Sequence, residues 1–137
     1  MDSHSSILDL PGLSSADGQR LLQMGIFTTA DLLRSTGSVS RQQELARQLK
    51  CSSLRLQRWM ALASLARLDS VGTTYCGLLL HSGIANIDTL AIAIPERLHR
   101  RILRLYVGTK QRREFCPSVA TVRSWILDAK QFTEPKL

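Results

Sequence analysis

The chain has 137 residues, 44% of them hydrophobic, and its 18 Lys and Arg outnumber 11 Asp and Glu for a formal charge of +7 and a pI near 10. That length suits one compact domain or two very small ones sharing a core, and the charge turns the surface toward polyanions or acidic protein faces. Cys51, Cys76 and Cys116 form an odd set without a C-x-x-C pair, which argues against a disulfide framework or a thiolate metal knuckle and for a reducing, cytoplasmic location.

At the start of the chain, "MDSHSSILDL" has neither a basic nor an apolar signal region, so no export signal is expected there. In "LPGLSSADGQRLLQMGIFTTADLL", from Leu10, Ser14 or Ser15 is placed to cap a helix running to about Met24, with Gly25 as its left-handed C-cap. Thr28 with Asp31 reads as the N-terminal box of a second helix, Gly37 as a break, and Ser40 with Gln43 as the box of a third. "SSLRLQRWMALASLARL" is the long fourth helix.

The pattern then begins again at Leu68 with "LDSVGTTYCGLLLHSGIANIDTLA". Gly25-Ile26 and Gly83-Ile84 are 58 residues apart, and the same step carries Leu10 to Leu68, Leu13 to Val71, Leu21 and Leu22 to Leu79 and Leu80, and Leu32 to Leu90. Around the two tryptophans the step is 66: Leu56, Trp59, Met60 and Ala63 answer to Val122, Trp125, Ile126 and Ala129, each set on one helical face. The second half therefore holds about eight more residues, which the sequence assigns to Arg104–Cys116. "SVATVRSWILDAKQF" is its last helix, and no stretch alternates with the period of two that a strand requires. The longest apolar runs, such as "LAIAIP", fall far short of the roughly 18 residues of a membrane span, so no membrane is expected as a partner.

With those residues in register, each half resembles the helix-hairpin-helix unit, in which a Gly-hydrophobic-Gly turn joins two short helices. The whole chain is similar to a family of tandem helix-hairpin-helix-like domains of unknown function, from about Leu8 to Phe132. The resemblance implies an all-α fold of two helix-hairpin-helix-like (SAM-like) repeats, 8–66 and 67–132, related by an approximate internal twofold, with flexible tails at 1–7 and 133–137. It also implies that the turns approach a phosphate whose oxygens accept from N–H groups at the next helix start. The matching residues are Gly12, Leu13 and Ser14 in one copy and Ser70, Val71 and Gly72, followed by Thr73, in the other. Each copy has serine where the pattern has a second glycine, which leaves the alternative of a tight interhelical turn whose Leu13 or Val71 plugs the core.

Arginine supplies 14 of the 18 cations, the residue suited to bidentate contact with phosphate or carboxylate. The densest group is "ERLHRRILRLYVGTKQRRE": Arg97, Arg100, Arg101 and Arg104 share one helical stripe opposite Leu98, Ile102 and Leu105, and Lys110, Arg112 and Arg113 follow. Such a stripe is either a solvated face or a strip that follows a nucleic-acid backbone or docks an acidic protein. Trp59 and Trp125 read as core anchors, leaving Tyr75 and Tyr106 as the candidates for stacking on bases. His4, His81 and His99 lack metal-ligand spacing, no nucleophile motif is present, and Asp17, Asp31, Asp69 and Asp88 sit where caps belong. The expectation is a non-catalytic, cofactor-free module that binds the DNA or RNA backbone with little sequence selectivity. The alternative is an adaptor docking an acidic surface of a protein assembly.

Overall fold

Serine, threonine and asparagine caps start most of the helices in this chain, and Gly25 and Gly83 close two of them. The computed structural model describes residues 5–109 and 115–133. Among the described residues there are eight α-helices, a 3-10 turn at Ile7–Asp9 and no strand. The contacts group the chain into two units, residues 1–77 and 78–137. The boundary falls inside the fifth helix, later than the division at 66/67 suggested by the sequence repeat.

The first unit contains α1 (Ser15–Gln23), α2 (Thr29–Ser35), α3 (Val39–Leu49), α4 (Ser53–Leu65) and the start of α5 (Gly72–His81). Ser14 caps α1, and Thr28 and Asp31 form a reciprocal capping box on α2. The cap of α3 is Ser38, which accepts from the Arg41 N–H. Ser40 lies inside the helix, a correction to the expected Ser40–Gln43 box. The earlier start lets the Gln42 amide donate to the Thr36 carbonyl and the Arg41 guanidinium to that of Arg34, satisfying groups left open where α2 ends. α4 packs on α2 and α3 and brings Leu56, Trp59, Leu62 and Ala63 into the core, while Met60 is half-buried.

The assignment of residues 1–7 to a flexible tail does not hold for its described part. Ile7 is fully buried, its N–H donates to the Phe27 carbonyl at 2.9 Å, and the Thr29 N–H donates to the Ser5 carbonyl at 2.9 Å. An apolar side chain with a buried place and two backbone bonds holds this segment against the start of α2.

The second unit contains the end of α5, then α6 (Ile87–Ala91), α7 (Pro95–Gly108) and α8 (Val119–Thr133). Asn86 caps α6 by accepting from the Thr89 N–H, 58 residues after Thr28 caps α2. Ser118 accepts from the Thr121 N–H, 66 residues after Ser52 accepts from that of Arg55. α8 packs on α6 and α7 and buries Val122, Trp125, Ile126 and Ala129. Between α7 and α8 lies the longer connection expected near Arg104–Cys116, part of it outside the described residues.

α1 and α5 end in the same manner. Ile26 donates to Leu21 and Gly25 to Leu22, and Ile84 donates to Leu79 and Gly83 to Leu80, the two bonds of a Schellman closure each time. Gly25 has φ +82° and Gly83 φ +94°, values at which a Cβ strains the backbone. No described helix is long and apolar enough to cross a membrane.

Candidate nucleic-acid interface

The first turn exposes Gly12, whose φ is +78° and whose missing Cβ would meet nothing within 4 Å. Leu13 is half-buried beside it. The Ser14 hydroxyl is committed: it accepts from the Asp17 N–H at 3.1 Å and donates to Asp17 Oδ2 at 2.9 Å. Asp17 is buried, and its Oδ2 lies 3.6 Å from Arg55 Nη1. A carboxylate thus already occupies the start of α1, where an incoming phosphate would profit from the helix dipole, and its charge opposes a second anion.

In the second turn Val71 is 1% exposed, as a core plug would be. The N–H groups of Val71 and Gly72 both donate to the Leu68 carbonyl, at 3.0 and 2.8 Å, so these two donors are already engaged within the turn. Gly72 has φ +55°, and it, Ser70 and Thr73 are half-buried. The two turns therefore differ: one leaves its glycine open beside a capping carboxylate, and the other turns its backbone donors inward.

On α7 the amphipathic division is as expected. Leu98 and Ile102 are buried, Leu105 is half-buried, and Arg97, Arg100, Arg101 and Arg104 are all exposed. Pro95 at the helix start needs no intrahelical donor there. Glu96, the acid of the first turn, pairs with Arg123 of α8 at 3.1 Å. Its carboxyl lies below the ordinary carboxylate value, held there first by its own backbone N–H at the helix start and then by Arg123. Arg101 donates from Nη1 to the Ser82 carbonyl at 3.3 Å. Arg97, Arg100 and Arg104 make no hydrogen bond or ion pair among the described residues. Lys110, Arg112 and Arg113 lie outside the described residues.

The family model for a domain of unknown function, DUF4332, matches residues 11–132, from the first turn to the end of α8. The chain belongs to the DUF4332 family. No curated protein and no solved structure matched it.

Trp59 and Trp125 of this DUF4332 domain are core residues, 3% and 1% exposed, while Tyr75 and Tyr106 are half-buried. No disulfide joins Cys51, Cys76 and Cys116. Sequence reasoning missed two features of the basic surface: the pairing of Glu96 with Arg123, and the tether between Arg101 and Ser82. Neither carries a local signal, because each joins residues whose separation in sequence, 27 and 19, follows no helical period.

Proposed function

We propose that this DUF4332 domain is a non-catalytic module that holds a nucleic-acid backbone with little sequence selectivity, and that α7 supplies the main contact. One observation carries the reading: four arginines are exposed on one helix whose opposite side is buried, and three of them have no partner among the described residues. Guanidinium groups not already paired with carboxylates are available to replace counterions on phosphates. The only acid in the first turn of α7 is held by Arg123, which reduces its repulsion of a polyanion.

The same reading takes the two halves as copies of a helix-hairpin-helix-like unit, with the approximate twofold that such copies imply. The matched Schellman closures and the caps at steps of 58 and 66 support it. The turns play unequal parts. Gly12 leaves room for close approach of a backbone, whereas the donors of Val71 and Gly72 are used internally. A cytoplasmic location belongs to the same reading.

A specific observation favours a second reading, an adaptor for an acidic protein surface. Ile92 is 82% and Ile94 48% exposed immediately before the arginine stripe, and an apolar patch rimmed by arginine suits a protein partner. Fluorescence anisotropy with mixed-sequence duplex and single-stranded DNA and RNA at about 50 mM salt separates the two. Binding to these probes is the result expected of a backbone binder. Its absence for all of them removes the nucleic-acid reading and leaves the adaptor.

A further inference from the structure

Between the last turn of α5 and α7 lies a cleft of about 320 Å³ lined by His81, Ser82, Arg101, Arg104 and Leu105. All five belong to the second unit. Two guanidinium groups and an imidazole converge there with no carboxylate among the lining residues. Arg101 is already oriented, because Nη1 is fixed on the Ser82 carbonyl, and a guanidinium has five N–H donors. Orientation before binding removes part of the entropy cost of holding a ligand.

Gly83 is part of the same arrangement. A Cβ built at this position would stand 3.4 Å from Arg101 Nη1, in ordinary contact with the guanidinium. Its φ of +94° closes α5 beside this arginine. Arg104, one turn along α7, is exposed and has no partner among the described residues. The cleft is roomy for a small anion with its waters, since each water takes about 30 Å³ of liquid.

A cleft of about 380 Å³ in the first unit makes the contrast. It too contains an arginine, but Glu44 brings a carboxylate into the lining. Mixed charge there offers an anion no net attraction.

We propose that the α5–α7 cleft binds a single phosphate group, with Arg101 and Arg104 donating to its oxygens and His81 adding a further donor. The inference rests on the reading that α7 meets a phosphate backbone, and it names the point at which one phosphate is gripped. Charge-assisted N–H to oxygen bonds from two arginines are the chemistry involved. A backbone diester and a terminal phosphate monoester both present it.

The test uses the full chain and inorganic phosphate, followed by amide NMR at constant ionic strength set with chloride. Saturable shifts at Gly83 and Leu105 are expected, with a Kd on the order of millimolar. Arg104→Gln should weaken that binding roughly tenfold, the loss of one charge-assisted bond. Arg58→Gln, which removes an equal charge from an exposed position on α4 in the other unit, should leave it unchanged. No saturable shift up to about 50 mM phosphate, or equal weakening by both variants, overturns the proposal. A second arm compares one oligonucleotide with and without a 5′-phosphate. Equal sensitivity to Arg104→Gln assigns the site to a backbone diester, and sensitivity confined to the phosphorylated strand assigns it to a terminal monoester. If phosphate saturates while no oligonucleotide binds, the cleft stands and the backbone reading falls. If oligonucleotides bind and phosphate does not, the backbone reading stands and the cleft falls.

Discussion

Arg101 reaches from α7 to the carbonyl of Ser82, 3.3 Å from Nη1, and so places a positive charge at the C-terminus of α5. Carbonyls at that end of a helix carry partial negative charge, so the contact stabilises the helix end as well as holding the arginine. Arg101→Ala should therefore cost about 1 kcal/mol. Arg100→Ala, one position away and without such a partner, should stay within about 0.5 kcal/mol of the parent. Urea denaturation of the two variants checks this, and equal midpoints would mean that the tether contributes nothing.

Trp59 of α4 and Trp125 of α8 are both buried, one in each unit. Truncating a buried tryptophan removes its transfer energy and leaves a cavity. Trp59→Ala and Trp125→Ala should each lose roughly 3 to 5 kcal/mol. Thermal unfolding followed by circular dichroism reports it. A variant that melts with the parent would place that tryptophan outside the core.

The box at the start of α2 predicts both a stability and a pH effect. Thr28→Ala removes the acceptor for the Asp31 N–H and should cost about 1 kcal/mol. The Asp31 carboxylate accepts from the Phe27 and Thr28 N–H groups and pairs with Arg34, and the Phe27 bond does most to hold its carboxyl below the ordinary 3.8. A depressed folded-state value means that this stabilisation is complete above the ordinary carboxylate value and is lost as pH falls through the folded one. Stability measured from pH 6 to about 2 should accordingly fall less steeply in Asp31→Ala than in the parent. Parallel acid limbs would contradict the box.

Cys76 is fully buried, and burial pushes its thiol up to about 11. Alkylation requires both access and thiolate, so Cys76 should react in the native protein far more slowly than the half-buried Cys51. Mass spectrometry after timed iodoacetamide treatment resolves the two sites. Once the protein is denatured without reductant, Cys51, Cys76 and Cys116 should all be labelled.

The helical ends were the most legible part of the sequence. Gly25 and Gly83 stand where only glycine closes a helix without strain, and Thr28 with Asp31 satisfies both halves of a box, so local chemistry alone decides these places. At α3 the box pattern pointed to Ser40 with Gln43, whereas the cap is Ser38, supported by bonds to the end of α2 that lie outside the pattern of caps. Residues 5–7 looked polar and terminal, yet Ile7 is buried and the segment bonds to residues 20 or more positions away. Of the candidate surface, the exposure of the α7 arginines followed from helical period. The engagement of the Gly72 N–H and the Ser14 hydroxyl did not, because a turn sequence specifies small residues and not the partners of its donors.

The salt dependence of nucleic-acid affinity bears most directly on α7 as a backbone-binding helix. For the parent chain on a mixed-sequence duplex, log affinity should fall linearly with log salt, with a slope set by the number of phosphates neutralised. Replacing Arg97, Arg100 and Arg104 together by Ala spares the Arg101 tether and should flatten that slope by about three units, one for each cation on a phosphate. Gly12→Val, with folding checked by circular dichroism, should weaken binding while keeping most of the slope, since it removes no charge. A triple variant with the parent's slope and affinity would contradict the role assigned to α7.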